Sequence, residues 1–162
     1  MYIPRRFDAV LEEWARDGSR KPLMIRGARQ TGKTSAVRHL AESFRHFVSI
    51  DFERDGTARS FFDGDFDIPA ICEKIEMRYG KPLEDGRTLL FLDEIQTCPR
   101  AIEALRYFYE ERPGLHVVAT GSLLDFAFRE IGDFGVGRIR SAFLHPFSFG
   151  EFLEATGEGP LF

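Results

Sequence analysis

Cysteine is nearly absent from this chain: Cys72 and Cys98 are the 2 present, and they sit in unrelated contexts without metal-ligand spacing. That excludes a disulfide-stapled secreted scaffold and a cysteine-ligated zinc module, and it leaves reduced thiols in a cytoplasmic protein as the expectation. Long apolar runs are missing too; none approaches the roughly twenty residues that a membrane-crossing helix needs. Arg5 and Arg6 are followed by no apolar segment, so no signal peptide is read at the start. Charge of one sign is modest: a net −4 gives no electrostatic reason for broad, non-specific nucleic-acid binding, though it does not exclude a local basic patch. No internal repeat or low-complexity tract is present. His39, His46, His116 and His145 form no cluster, and Asp63, Asp65 and Asp67 lack the regular spacing and closing glutamate of a calcium loop. What remains, with 43% hydrophobic and 30% charged residues over 162 positions, is one domain of common size, long enough to close a core.

Against that background one stretch carries chemistry. Gly27-Ala28-Arg29-Gln30-Thr31-Gly32-Lys33-Thr34, continuing to Ser35, has two glycines in phosphate-loop spacing, then lysine, then a hydroxyl residue. Leu23-Met24-Ile25 before it reads as a buried strand, and Val37, Leu40, Ala41 and Phe44 after it recur at helical spacing from the second glycine. Strand, glycine loop and helix is the order that phosphate binding requires. Successive backbone N–H groups converge on the anion, and the positive end of the helix dipole faces it. Lys33 can reach the β- and γ-phosphates as a mobile charge, and Thr34 can put its hydroxyl on Mg²⁺. A glycine turn before an amphipathic helix would need neither residue, and this chain otherwise favours arginine over lysine.

The remaining elements alternate. Phe7, Val10, Leu11 and Trp14 predict an amphipathic helix that stops near Asp17-Gly18. Residues 47–52 alternate as a second strand, and 54–67 read as loop and short helix. Ile68, Ile71, Cys72 and Ile75 then predict a helix closing at Tyr79-Gly80. Leu89-Leu90-Phe91-Leu92 is the most apolar short run and reads as a central strand. A helix opening at Pro99, a strand over 115–119, a helix over 124–131 and a strand over 138–144 complete the order. Strands alternating with helices predict an α/β fold, a parallel sheet with helices on both faces, and ligands at the carboxyl ends of its strands.

The chemistry-bearing residues fall at those ends. Asp93-Glu94 follows the most hydrophobic strand; Asp93 is the candidate magnesium ligand beside Thr34, and Glu94 the candidate base for a water attacking the γ-phosphate. A second acid there favours hydrolysis over phosphoryl transfer to a small acceptor. Thr120, with Ser122 close behind, is the candidate γ-phosphate sensor, Ser122 serving equally well as a helix cap. Arg138, or Arg140, could neutralise charge on the transferring phosphate. Arg29 is expected to face outward, and Asp51 and Glu53 to form a solvated strand end.

Together, the stretch from Ile25 to Thr34, Phe91-Leu92-Asp93-Glu94-Ile95-Gln96, Ala119-Thr120-Gly121-Ser122 and Gly137-Arg138-Ile139 resemble one group. It comprises prokaryotic AAA-superfamily ATPases with an N-terminal AAA_14-type domain and a C-terminal DUF4143 domain. The tail, Leu144-His145-Pro146-Phe147-Ser148-Phe149-Gly150-Glu151-Phe152, is similar to that group's signature as well. The resemblance implies a P-loop NTPase, a three-layer α/β/α sandwich of the ASCE type with strand order 5-1-4-3-2. It also implies Walker A and Walker B roles for Lys33, Thr34, Asp93 and Glu94, with ATP and Mg²⁺ as ligands. Members of the group are longer, so residues 1–162 are expected to be the N-terminal part of a larger protein.

Phe143, Phe147, Phe149, Phe152 and Phe162 crowd the tail. Core packing under the sheet is the expectation; the alternative is that they dock a following domain, in which case the chain should self-associate. Three function classes stay open on sequence grounds: a hydrolysing ATPase module, a nucleotide-dependent switch with little turnover, and a DNA-associated transposition or repair-type ATPase.

Overall fold

The computed structural model describes residues 1–122, 124–131 and 137–157. In chain order its elements are α1 (Phe7–Arg16), β1 (Leu23–Arg26), α2 (Lys33–Ala41), β2 (His46–Asp51), α3 (Gly56–Arg59), α4 (Ile68–Tyr79), β3 (Thr88–Asp93), α5 (Pro99–Glu111), β4 (His116–Gly121), α6 (Leu124–Ile131), β5 (Arg140–Phe143) and α7 (Phe149–Thr156). The strands form a single parallel sheet in the order β2-β3-β4-β1-β5, which is the expected 5-1-4-3-2 read from the other edge.

The central strands explain the two layers around the sheet. β3 and β4 are buried at every position, and successive side chains of a strand point to opposite faces. A continuous apolar run therefore feeds two cores at once. Leu90 and Leu92 join Val48, Ile50, Val117 and Ala119 against α4 and α5, through Ile71, Ile75, Ile102, Leu105 and Phe108. Leu89 and Phe91 join Leu23, Ile25 and Val118 against α1 and α2, through Leu11, Trp14, Val37 and Leu40. Helix ends fall where local chemistry stops them. Asp67 caps α4 by accepting from the Ala70 N–H, and Gly80 ends it in the left-handed region at φ 68°.

The polar stretch before α4 holds a short helix as expected: α3 and a following 3₁₀ turn bury Ala58 and Phe62, and Phe62 meets Phe52 edge-to-face at 5.6 Å. One expectation changes. The tail phenylalanines do not pack under the sheet. Phe143, Phe147, Phe149 and Phe152 are all exposed, Phe149 to 75%; Phe162 lies outside the described residues. The reason is how α7 docks. Ser148 and Glu151 form a reciprocal capping box, and Glu151, 7% exposed, is the side chain that α7 turns inward. It meets Arg5, 8% exposed, at 3.1 Å. The same guanidinium donates to Thr31 O at 3.0 Å and His145 O at 2.9 Å, and it lies over the Phe147 ring. A buried ion pair thus sets which face of α7 is covered, and the phenylalanines take what is left. Among the described residues no helix is long and apolar enough to cross a membrane.

Burial pushes the Glu151 carboxyl up, but the Ser148 N–H, the Arg5 guanidinium and the Arg6 N–H outweigh it and hold the group at about 2, below its ordinary 4.5. A depressed carboxylate stabilises the fold above its unfolded value, and that contribution disappears as pH falls toward the folded value. Denaturation of the wild type and of Glu151→Gln should therefore show a stability gap that is widest above pH 4.5 and narrows as pH falls to about 2. A gap that stays constant through this window contradicts the assignment.

Candidate functional site

β1 delivers the chain into the glycine loop at the carboxyl end of the sheet, and α2 begins directly after it. Gly32 caps α2 in the left-handed region at φ 92°, and Gln30 also has positive φ, at 60°. Gly27 sits at φ +154°, and a Cβ there would run into the backbone carbonyl of Leu144. The first glycine is therefore required by the chain that follows β5, in addition to any demand from a phosphate. Within the loop the Lys33 ammonium donates to Gly27 O at 2.9 Å and Ala28 O at 2.5 Å, with only 8% of the residue exposed. Burial pushes its pKa down, while the nearby charges of Glu94 and Asp93 pull it up.

Those two acids arrive from β3. Asp93 ends the strand, and the pairing of Leu92 with Ala119 brings it level with Thr120 of β4. Thr34 Oγ1 donates to Asp93 Oδ2 at 3.0 Å, while Thr120 Oγ1 and the Glu94 N–H donate to Asp93 Oδ1 at 2.6 and 3.0 Å. Lys33-Thr34 and Asp93 are thus gathered at one point although 59 positions separate the bonded pair Thr34 and Asp93. A hydroxyl and a carboxylate side by side are hard oxygen donors suited to Mg²⁺, which keeps waters and takes substrate phosphates for its other positions. Among the described residues no group of three or more His, Cys, Asp or Glu could hold a metal by itself. The donor set fits a cation shared with a phosphate ligand.

A family model described as AAA domain, AAA_14, matches residues 19–153. The chain belongs to this family. A solved structure, the Walker-type ATPase PABY2304 of Pyrococcus abyssi, is similar in fold, with a TM-score of 0.64 at 16% identity. The likeness covers 97% of this chain and 57% of that one, so this AAA domain spans little more than half of the neighbour's length. No curated protein matches the sequence.

The AAA domain's other candidate residues divide clearly. Thr120, the candidate γ-phosphate sensor, is at the site with 0% exposure, and its hydroxyl is donated to Asp93 and holds the carboxylate in place. Ser122 is 3% exposed, and among the described residues its Oγ has no hydrogen-bond partner. Arg138 is not brought to the site. It precedes β5, which runs parallel to β1 with Arg140 opposite Leu23, so both arginines lie toward the end of the sheet away from the loop. Arg138 Nε pairs there with Glu110 Oε1 at 2.7 Å. Strand direction therefore places neither arginine beside this chain's own phosphate loop. Arg29 is exposed as expected, 4.0 Å from Glu53, and Ser35 is exposed on the first turn of α2.

Two residues near the site were not singled out by sequence reasoning. Arg5 supports the loop from outside through Thr31 O, and no spacing signal links it to Glu151, 146 positions away. Gln96 donates from Nε2 to Glu94 Oε2 at 2.5 Å; its place two residues after the glutamate was visible, but its direction was not.

Gly27→Ala should lower stability by about 1–3 kcal/mol, from backbone strain and the clash with Leu144. Gly18→Ala, where nothing lies within 4 Å, should change little by comparison in the same denaturant titration. Equal effects at the two positions would show that the loop does not need its first glycine.

Proposed function

We propose that this AAA domain binds ATP with Mg²⁺ and hydrolyses it. The observation that carries the reading is the bond between Thr34 and Asp93: it brings the phosphate loop and the acid-tipped strand to one place. The loop N–H groups and Lys33 hold the β- and γ-phosphates, Lys33 exchanging its carbonyl partners for phosphate oxygens. Thr34 and Asp93 hold the magnesium ion, with Thr120 and the Glu94 N–H fixing the carboxylate. Mg²⁺, when bound, neutralises charge on the phosphate oxygens. Glu94 accepts a proton from the attacking water as its oxygen bonds to the γ-phosphorus and the β–γ bridging bond breaks, releasing ADP and phosphate. Glu94 Oε2 is occupied by Gln96, which leaves Oε1 as the proton acceptor.

The reading extends to the wider protein. The similarity of the tail to the DUF4143-containing group supports an N-terminal module in a longer, cytoplasmic protein, and the exposed phenylalanines of α7 are consistent with a further domain or a second copy covering them.

Glu94→Gln should leave ATP affinity within about twofold of wild type and lower turnover by about 10²–10⁴-fold. Fluorescent-nucleotide binding and phosphate release measure the two separately. Unchanged turnover would remove Glu94 from the mechanism, and a wild type that binds tightly without turnover would make the domain a nucleotide switch.

A further inference from the structure

We infer that Gln96 is the positioning residue for Glu94, seated by Gly121; the inference rests on the ATPase reading and adds a residue to it. Glu94 is one of the two non-glycine residues with positive φ among the described residues, at φ 53° and ψ 45°. Such strain persists where the surroundings over-determine it, and it clusters at functional sites. The turn that follows is tied down. Thr97 returns both its N–H and its hydroxyl to Glu94 O, at 3.1 and 2.9 Å, and Ile95 is fully buried. The 3₁₀ turn over Ile95–Thr97 swings the Gln96 amide back onto the glutamate, giving the bond of 2.5 Å. Among the described residues this is the only side-chain hydrogen bond that the Glu94 carboxylate makes.

The chemistry of the pair suits a base. A glutamate without a partner samples many rotamers, and holding it costs conformational entropy at the moment of reaction. A lysine or arginine in this place would fix it, but would also oppose its taking up a proton. A neutral amide fixes one oxygen and leaves the other free with the negative charge intact. The rest of Gln96 is fitted as tightly. Among the described residues its Oε1 is buried without a partner, and a Cβ on Gly121 would stand 2.5 Å from that atom. The Thr120-Gly121 pair thus does two jobs on neighbouring residues: Thr120 grips Asp93 by a hydroxyl, and Gly121 makes room for the amide that grips Glu94.

The test uses Gln96→Ala, Gly121→Ala and their combination in the whole chain. Gln96→Ala should lower kcat about ten- to a hundredfold, with KM and the measured Kd for ATP within about twofold of wild type. Gly121→Ala, which pushes the amide off its seat, should lower kcat in the same direction. In the double variant the second change should add nothing further to the loss. Independently of turnover, the Gln96 side-chain amide resonance, assigned by its disappearance in Gln96→Ala, should move in Glu94→Ala. A wild-type kcat in Gln96→Ala, a loss confined to KM, additive losses, or an amide resonance indifferent to Glu94→Ala would each overturn the inference while the ATPase reading stands. A wild type without turnover would overturn that reading, and this inference with it.

Discussion

The carboxylate of Asp93 is the constraint around which the sheet end is built. An ionised carboxylate taken out of water is costly unless donors surround it. Here the donors come from three elements: a hydroxyl from the first turn of α2, a hydroxyl from inside β4, and the N–H of the residue that follows in the chain. The two hydroxyls are in place only if the sheet has the order it has. β3 and β1 lie on either side of β4, so the carboxylate at the tip of one and the loop leaving the other converge over the strand between them. The continuous apolar runs of β3 and β4 are what allow this, because strands buried on both faces can occupy the middle of a parallel sheet.

A second anchor holds the loop from the opposite side. Arg5 joins the chain start, the Thr31 carbonyl of the loop, the His145 carbonyl and the α7 acid Glu151 through one side chain. The geometry of the loop is therefore shared between a carboxylate at its inner edge and a guanidinium at its outer edge. The contact of Gly27 with Leu144 adds the segment after β5 to the same arrangement. Tail and loop form one packed unit, which is why the tail's acid is buried and its phenylalanines are exposed.

Much of this was legible in the sequence because it is local. Hydrophobic period, glycine and proline positions and the run of alternating elements give the helices, the strands and a parallel sheet, while the strand order came only from what the family resemblance implies. The phosphate-loop spacing places Lys33 and Thr34, and Asp93-Glu94 at the end of the most apolar strand places the acids. What was not legible depends on direction or on long-range pairing. Arg138 looked suitable by residue type, yet the parallel course of β5 carries it to the other end of the sheet. Thr120 was found as a residue but not as a donor to Asp93, because which way a strand's hydroxyl turns is set by its neighbours across the sheet. The tail phenylalanines looked like core, and the competing preference of an ion pair for burial was invisible without the fold.

The central claim is that Asp93 and the loop residues Lys33 and Thr34 meet on one magnesium-bound triphosphate. Calorimetric titration of ATP into the wild type and Asp93→Asn, with and without Mg²⁺, tests it most directly. The account predicts that Mg²⁺ strengthens ATP binding at least about tenfold in the wild type, a coupling of about 1.4 kcal/mol, and that this gain is lost in Asp93→Asn. Wild-type affinity that ignores Mg²⁺, or an Asp93→Asn chain that keeps the full gain, would contradict it.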